Sequence, residues 1–525
     1  MFTTRFTPAS IRRCLLVLLT LLTAQVHAAT YYLDSRLGND NNDGLKQTSA
    51  WASLDRVNAT TFAPGDRILF KAGTVYAGQL RPQGSGAIVE GIVRPIEVGV
   101  WGDGPRPRIE ARGLTREALE LHNVEYWEIE GLEITNTGEE RAPRRAGVLL
   151  RLNDFGTALH IELRNLYIHD VNGSNVKAEG GGAGISIEVS GRTTPSRYDG
   201  LLIENCRLER CDRNGITGGG STSRNNWFPS INVVIRGNVL EDIGGDGIVP
   251  MGCDGALVEY NVLRNSGTRF PPGDAAAGIW PWSCDNTIIQ FNEVSGQRGH
   301  WDAQGFDSDW NCSGTLIQYN YSHDNEGGFL LVCNNGGSRG SDNVGNVGTI
   351  VRYNLSVNDG YRSTGEHAGF SPIFHISGPV RGTRIYNNTI FIWNRPDMLD
   401  HTLVKFDTWG GWPDDTVFAN NIFYGAGWST FDYGQSTNHR FINNLYFGEF
   451  RRMPDDPRAL TVDPMLRQPG NHDSGLAAAT AYRPREGSLA IAAGTPIENN
   501  GGRDLLGQPI PTDRPPTIGA IEFGR

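Results

Sequence analysis

A short phrase of alternating apolar and polar residues, ending in asparagine, recurs along the chain. Its copies are LRN to Asn165, IEN to Asn205, IRGN to Asn238, VEYN to Asn261 and IQFN to Asn292. IQYN to Asn320, VRYN to Asn354, IYNN to Asn388, FANN to Asn421 and FINN to Asn444 follow. Apolar or β-branched residues resume after each asparagine, so every copy reads as two short strands joined by a tight polar corner. Gly, Asn and β-branched residues dominate, which rules out helical repeats. The interval varies between 23 and 40 residues, unlike the near-constant period of a propeller. A right-handed, single-stranded parallel β-helix accepts such variation, because insertions leave at the corners while the coil keeps its register. Coils stack about 4.8 Å apart, so ten copies make a rod of roughly 45–50 Å. The asparagine is expected at the corner itself, where it tolerates left-handed backbone angles. Stacked side chains there can hydrogen-bond from coil to coil, and the column is assigned a structural role.

Rod ends are unpaired sheet edges and must be covered. Thr30–Leu80 reads as an N-terminal cap, with an amphipathic stretch from Trp51 to Val57 and a strand over Arg67–Lys71. The Pro-rich tail from Asp463 is expected either to close the other end or to return along the outside. The organisation predicted is a leader over 1–28, cap and first strands over 29–85, β-helix over 86–455 and a capping segment over 456–525. In the leader, Arg5, Arg12 and Arg13 precede the apolar run Leu15–Leu22, and Val26-His27-Ala28 ends it. This is the pattern of a signal peptide cleaved after Ala28, and the run is well short of the ~20 residues of a membrane span. A secreted or periplasmic, monomeric protein is expected, with no membrane attachment after cleavage.

Among 525 residues, 38% are apolar, enough for a large core, and the formal net charge of −11 leaves no basic footprint for nucleic acid. Six cysteines follow the leader: Cys206, Cys211, Cys253, Cys284, Cys312 and Cys333. An even number in an oxidising compartment predicts disulfides. The preferred pairs are 253–284 and 312–333, with 284–312 competing and 206–211 across one corner; free buried thiols are the alternative.

The phrases GIVPMGC, GIWPWSC, GFDSDWNC and GGFLLVC align four coils on Cys253, Cys284, Cys312 and Cys333. With Ile248, Ile279, Phe306 and Phe329 inward, strand alternation turns Val249 and Met251, Trp280 and Trp282, Asp307 and Asp309, and Leu330 and Val332 outward. The third phrase is one residue longer, so a bulge there can shift the register. Indole rings beside carboxylates suit sugars, whose C–H faces stack on aromatics while an acid and a base act at the glycosidic bond. Candidate catalytic residues are therefore Asp302, Asp307, Asp309 and Asp324. Candidate substrate contacts are Trp280, Trp282, Arg298, His300, Trp301, Trp310, His323 and Glu326. Asp324, in HDNEGG, reads equally as a corner residue, and the tryptophans as packing beneath a loop.

The opening YYLDSRLGNDNNDG, AWASLDRVN and FAPGDRILFKAG, with the ending GGRDLLGQPIPTDRPPTIGAIEF, resembles bacterial secreted right-handed β-helix proteins that act on polysaccharides. That group mixes glycoside hydrolases, polysaccharide lyases and epimerases, so the resemblance implies the fold and a carbohydrate substrate but not the reaction. Hydrolysis needs two acids in different environments, and the cluster offers them, with Asp302 or Asp309 as general acid and Asp307 as base or nucleophile. Elimination from a uronic acid needs cations or calcium beside its carboxylate. Of the four lysines (Lys46, Lys71, Lys177 and Lys405) none falls in this stretch, which favours a glycoside hydrolase over a lyase, an epimerase or a non-catalytic glycan-binding protein. No cofactor is required; Asp307, Asp309 and Asp324, or the run Asn39–Asp43, are the places where calcium would bind.

Overall fold

The computed structural model describes residues 28–336, 342–363, 365, 367–393, 395 and 400–524. Apart from Ala28, the expected leader lies outside the described residues. The chain winds as a right-handed parallel β-helix with three sheets. A representative coil runs through Ser230–Arg236 in the first sheet, Val239–Glu241 in the second and Asp246–Met251 in the third. The first sheet is a 15-stranded array. Its inward positions form one continuous column: Ile129, Leu163, Ile203, Ile235, Val258, Ile289, Ile317, Val351, Ile385, Phe418 and Phe441 are in register from coil to coil. All are buried. Strands this short hold no fixed position alone; stacking like residues on like removes apolar surface from water at every step.

The asparagine column departs from the sequence reading by one position. Eight of the ten asparagines, Asn238 to Asn444, do form a ladder. The Nδ2 of each of the first seven donates to the Oδ1 of the asparagine one coil on, at 2.9–3.0 Å. These side chains point inward and are buried. The left-handed angle falls on the preceding residue instead: Gly237, Tyr260, Phe291, Tyr319, Tyr353, Asn387, Asn420 and Asn443 all have positive φ. Asn165 and Asn205 occupy that outer position rather than the ladder, with φ of 52° and 54°. A tyrosine in this conformation is strained, and stacking offsets the strain: Tyr260, Phe291, Tyr319 and Tyr353 lie ring over ring at 4.9–6.0 Å.

At the N-terminal end, the helix Leu54–Asn58, N-capped by Ser53, lays Leu54 and Val57 with Trp51 over the first coil. At the other end Asp456 terminates the ladder, accepting hydrogen bonds from the Asn443 and Asn444 amides and Asn444 Nδ2. Beyond it the tail returns along the outside of the second sheet and of its corner with the first. Leu466, Tyr482, Leu505, Ile518 and Ile521 pack there against Tyr321, Leu355, Tyr386, Ile422 and Leu445.

All six cysteines are free and buried, which corrects the predicted pairing. Cys253, Cys284 and Cys312 do stack, but facing inward, each thiol directed to a main-chain carbonyl: Met251 at 3.3 Å, Pro250 at 3.4 Å and Pro281 at 3.5 Å. Cys206 and Cys211 likewise turn to the carbonyls of Leu163 and Ile168. Cys333 is not equivalent to the others and faces the opposite side of its strand.

Candidate active site

The third sheet presents its outer face to a cavity of about 690 Å³, lined by Trp282, Trp301, Asp302, Asp307, Asp309 and Trp310 among others. Ile248, Ile279 and Phe306 are in register and buried, so Trp280 and Asp307 necessarily face outward. The extra residue of the third phrase is absorbed around Asp309, so that Trp310 rather than Asp309 meets Trp282, with ring centroids 4.9 Å apart. On the fourth coil the expected register is off by one. Phe306, Asp307 and Ser308 pair with Leu330, Leu331 and Val332; Leu330 and Val332 are core residues, while Leu331 and Cys333 line the cavity. Gly328, at φ 97°, makes the corner that shifts the strand.

The three acids have unequal surroundings. Asp307 is 3% exposed, and its Oδ1 has no hydrogen-bond partner among the described residues. Burial, then the charges of Asp309 and Asp302, push its pKa well above the carboxylate range. Asp302 is more open; burial and the neighbouring Asp309 lift it to about 6. Asp309 is oriented by the Trp310 amide at 2.5 Å and the Cys333 thiol at 2.9 Å, both donating to Oδ1. Carboxylate oxygens of Asp307 and Asp309 and the Cys333 sulfur lie within 4.8 Å of one another.

Trp280 is buried rather than an open platform. Its Nε1 donates to Asp246 Oδ1 at 3.1 Å, and Asp246 in turn is paired with the fully buried Arg213 at 2.7 Å. The indoles open to the cavity are Trp282 and Trp301, joined by Trp409.

The remaining predicted residues lie elsewhere. Arg298, His300, Asp324 and Glu326 line a separate cavity and do not meet Asp307 or Asp309. His323 is buried between Glu293 and Asp324, at 3.5 and 2.8 Å; although burial opposes its charge, those two acceptors raise its pKa to about 9. The ligand set Asp307, Asp309 and Asp324 is therefore not assembled. The cluster that does form puts a thiol beside two carboxylates, a donor set unsuited to calcium. In the run Asn39–Asp43, Asp40 accepts from Ser53 and the Ala52 amide, and Asp43 from Ser49 and the Leu45 amide, which makes it a polar turn.

Lys177, His375 and Trp409 line the cavity without having been anticipated. Lys177 Nζ lies 5.2 Å from the centre of the Trp280 ring, so the stretch does not lack a lysine. His375 was within reach of the sequence: it continues the row Asp307, Leu331, His375 on successive coils. Lys177 and Trp409 arrive on corner insertions, which carry no periodic signal.

Fold and site together describe a right-handed β-helix with a tryptophan-walled acidic pocket on one sheet. Comparison with known proteins agrees on the fold. A family model described as a right-handed beta helix region matches residues 183–358. The chain is 27% identical to the lacto-N-biosidase of Bifidobacterium longum subsp. longum, in an alignment covering 94% of this chain and 36% of that protein. It thus spans about a third of that relative's length. The crystal structure of the GH136 lacto-N-biosidase from Eubacterium ramulus superposes with a TM-score of 0.56 and 26% identity, over 81% of this chain and 68% of that one. The complex of XylC with xylose shares the fold, with a TM-score of 0.51 and 13% identity, over 94% and 98% of the two chains.

Proposed function

We propose that this chain is an exported glycoside hydrolase that cleaves an oligosaccharide in the pocket of Asp302, Asp307 and Asp309. One observation carries the reading: two acids on one indole-lined wall are lifted by burial and by a third beside them, the division of labour that glycoside cleavage requires. Asp302, titrating near neutrality and reachable from the cavity, donates its proton to the glycosidic oxygen as the C–O bond breaks. Asp309 faces the developing positive charge at the anomeric carbon. Water supplies the hydroxyl and returns a proton to Asp302. Asp307 is too buried to cycle; it stays a neutral acid supporting Asp309. Trp282 and Trp301 hold the sugar ring. The likeness to two lacto-N-biosidases supports lacto-N-biose as the unit released.

Lys177 is the one observation that favours a lyase, since it places a cation at the pocket wall. Asp309→Asn should leave the melting temperature within about a degree and lower the release of reducing ends by ~10³-fold or more. Full activity in that variant overturns the assignment. Products absorbing in the near ultraviolet through a new C=C bond establish the lyase instead.

A further inference from the structure

Behind the strip Gly299–Asp302 lies a second cavity, of about 850 Å³, that shares no lining residue with the pocket of Asp309. The strip is fixed from below by Arg362, whose guanidinium donates to the carbonyls of Gly299 and Asp302. Two features of the second cavity point to a ligand. Trp393, on its rim, keeps 51% of its surface exposed although its backbone is anchored: its amide donates to Asn358 Oδ1 at 3.0 Å, and Tyr361 Oη donates to its carbonyl. Asn358 is 4% exposed and lines the cavity, yet its Nδ2 has no acceptor among the described residues. A buried donor without an acceptor is costly unless something in the cavity accepts from it.

The charges narrow the class of ligand. Arg298 and Arg395 are balanced by Asp324 and Glu326 on the same walls, with Arg298 Nη1 3.9 Å from Glu326 Oε1. Among the described lining residues the formal charges cancel, and such a set, with a half-exposed indole and paired donors and acceptors, matches a neutral sugar ring better than a uronate or a phosphate. We propose that this cleft is a second, non-catalytic saccharide site, with a pyranose face on Trp393 and a ring hydroxyl accepting from Asn358 Nδ2. The inference rests on the reading of the chain as a glycan-acting enzyme. It adds a place where a longer or neighbouring chain is held while the first pocket works.

The test uses the full chain carrying Asp309→Asn, titrated calorimetrically with lacto-N-tetraose, xylotetraose and cellotetraose. Two binding events are expected for at least one of these. Adding Trp393→Ala should abolish one event. Adding Asn358→Asp, which keeps the acceptor for the Trp393 amide but removes the donor, should weaken that event by roughly tenfold. A single event that neither substitution alters, or no binding of any of the three, overturns the second site. Loss of turnover in Asp309→Asn with an unaltered single event removes the second site alone, whereas retained turnover removes the assignment of the chemistry to the pocket of Asp309. Because Trp393 is half exposed, its truncation spares the core, and an unchanged melting temperature verifies this.

Discussion

Asp302 and Asp307 sit on one wall, five positions apart, yet their protons answer to different surroundings. Asp302 titrates at about 6 because burial and Asp309 disfavour its charge. As a general acid it works only when protonated, so kcat/KM should fall as pH rises through about 6, by close to tenfold per unit. Asp309→Asn removes the neighbouring charge and should move the Asp302 midpoint downward, which carbon-detected NMR of the side-chain carboxyl reads directly. An unmoved midpoint would mean the two acids are not coupled. Asp307 is held neutral by deeper burial, so Asp307→Asn replaces one uncharged group by another of the same shape. That variant should lose less than about tenfold in kcat, while Asp302→Asn and Asp309→Asn lose ~10³-fold or more. Equal losses at all three positions would place Asp307 in the chemistry itself.

At the scale of the element, corners rather than strands carry the polar cost of the fold. Besides the asparagine ladder, a second internal ladder runs through Asn325 to Asp359. Asp359 Oδ1 accepts from the Asn325 amide and Nδ2 at 3.0 and 2.9 Å, and its Oδ2 from Ser356 Oγ at 2.6 Å. Burial raises the Asp359 pKa from 3.8 to about 7, against those hydrogen bonds. A carboxyl whose pKa is higher folded than unfolded contributes full stability below its unfolded value of 3.8 and loses it as pH climbs toward 7. Asp359→Asn abolishes that titration and supplies the amide used at Asn325. It should therefore stabilise the protein by about 1–4 kcal/mol at pH 8, with the gain vanishing near pH 4. Urea melts at the two pH values decide the matter; a gain that does not depend on pH would show that folding does not raise the Asp359 pKa.

For the whole molecule, the returning tail is part of the core rather than an appendage. Its apolar residues cover Tyr321, Leu355, Tyr386, Ile422 and Leu445. It is also latched by Asp324 to His472 at 3.0 Å and by Glu293 to the Gly475 amide at 2.9 Å. At ~1.5–3 kcal/mol for each large apolar side chain returned to water, uncovering five costs on the order of 10 kcal/mol before the freed tail regains its entropy. Deleting residues 464–525 should accordingly lower the melting temperature and raise binding of an apolar dye. A truncated chain that melts like the full one would show that the tail does not stabilise the coil.

The period of the apolar residues, read along the chain, determined the solenoid, the inward column of its first sheet and the pairing of tryptophans with acids on one outer face. These follow from local rules: alternation sets the face, and repetition sets the stacking. Tertiary structure alone decided the rest. Whether the strand after Gly328 starts one residue late, turning Cys333 toward Asp309, depends on a corner whose glycine relieves the backbone but leaves no periodic trace. The asparagines exchanged places with their left-handed neighbours because an inward amide can satisfy both coils at once. Lys177 and Trp409 reached the pocket on insertions, and the strip Gly299–Asp302 divided one predicted site into two. Such placements are set by the contacts a loop finds across coils, which no spacing along the chain encodes.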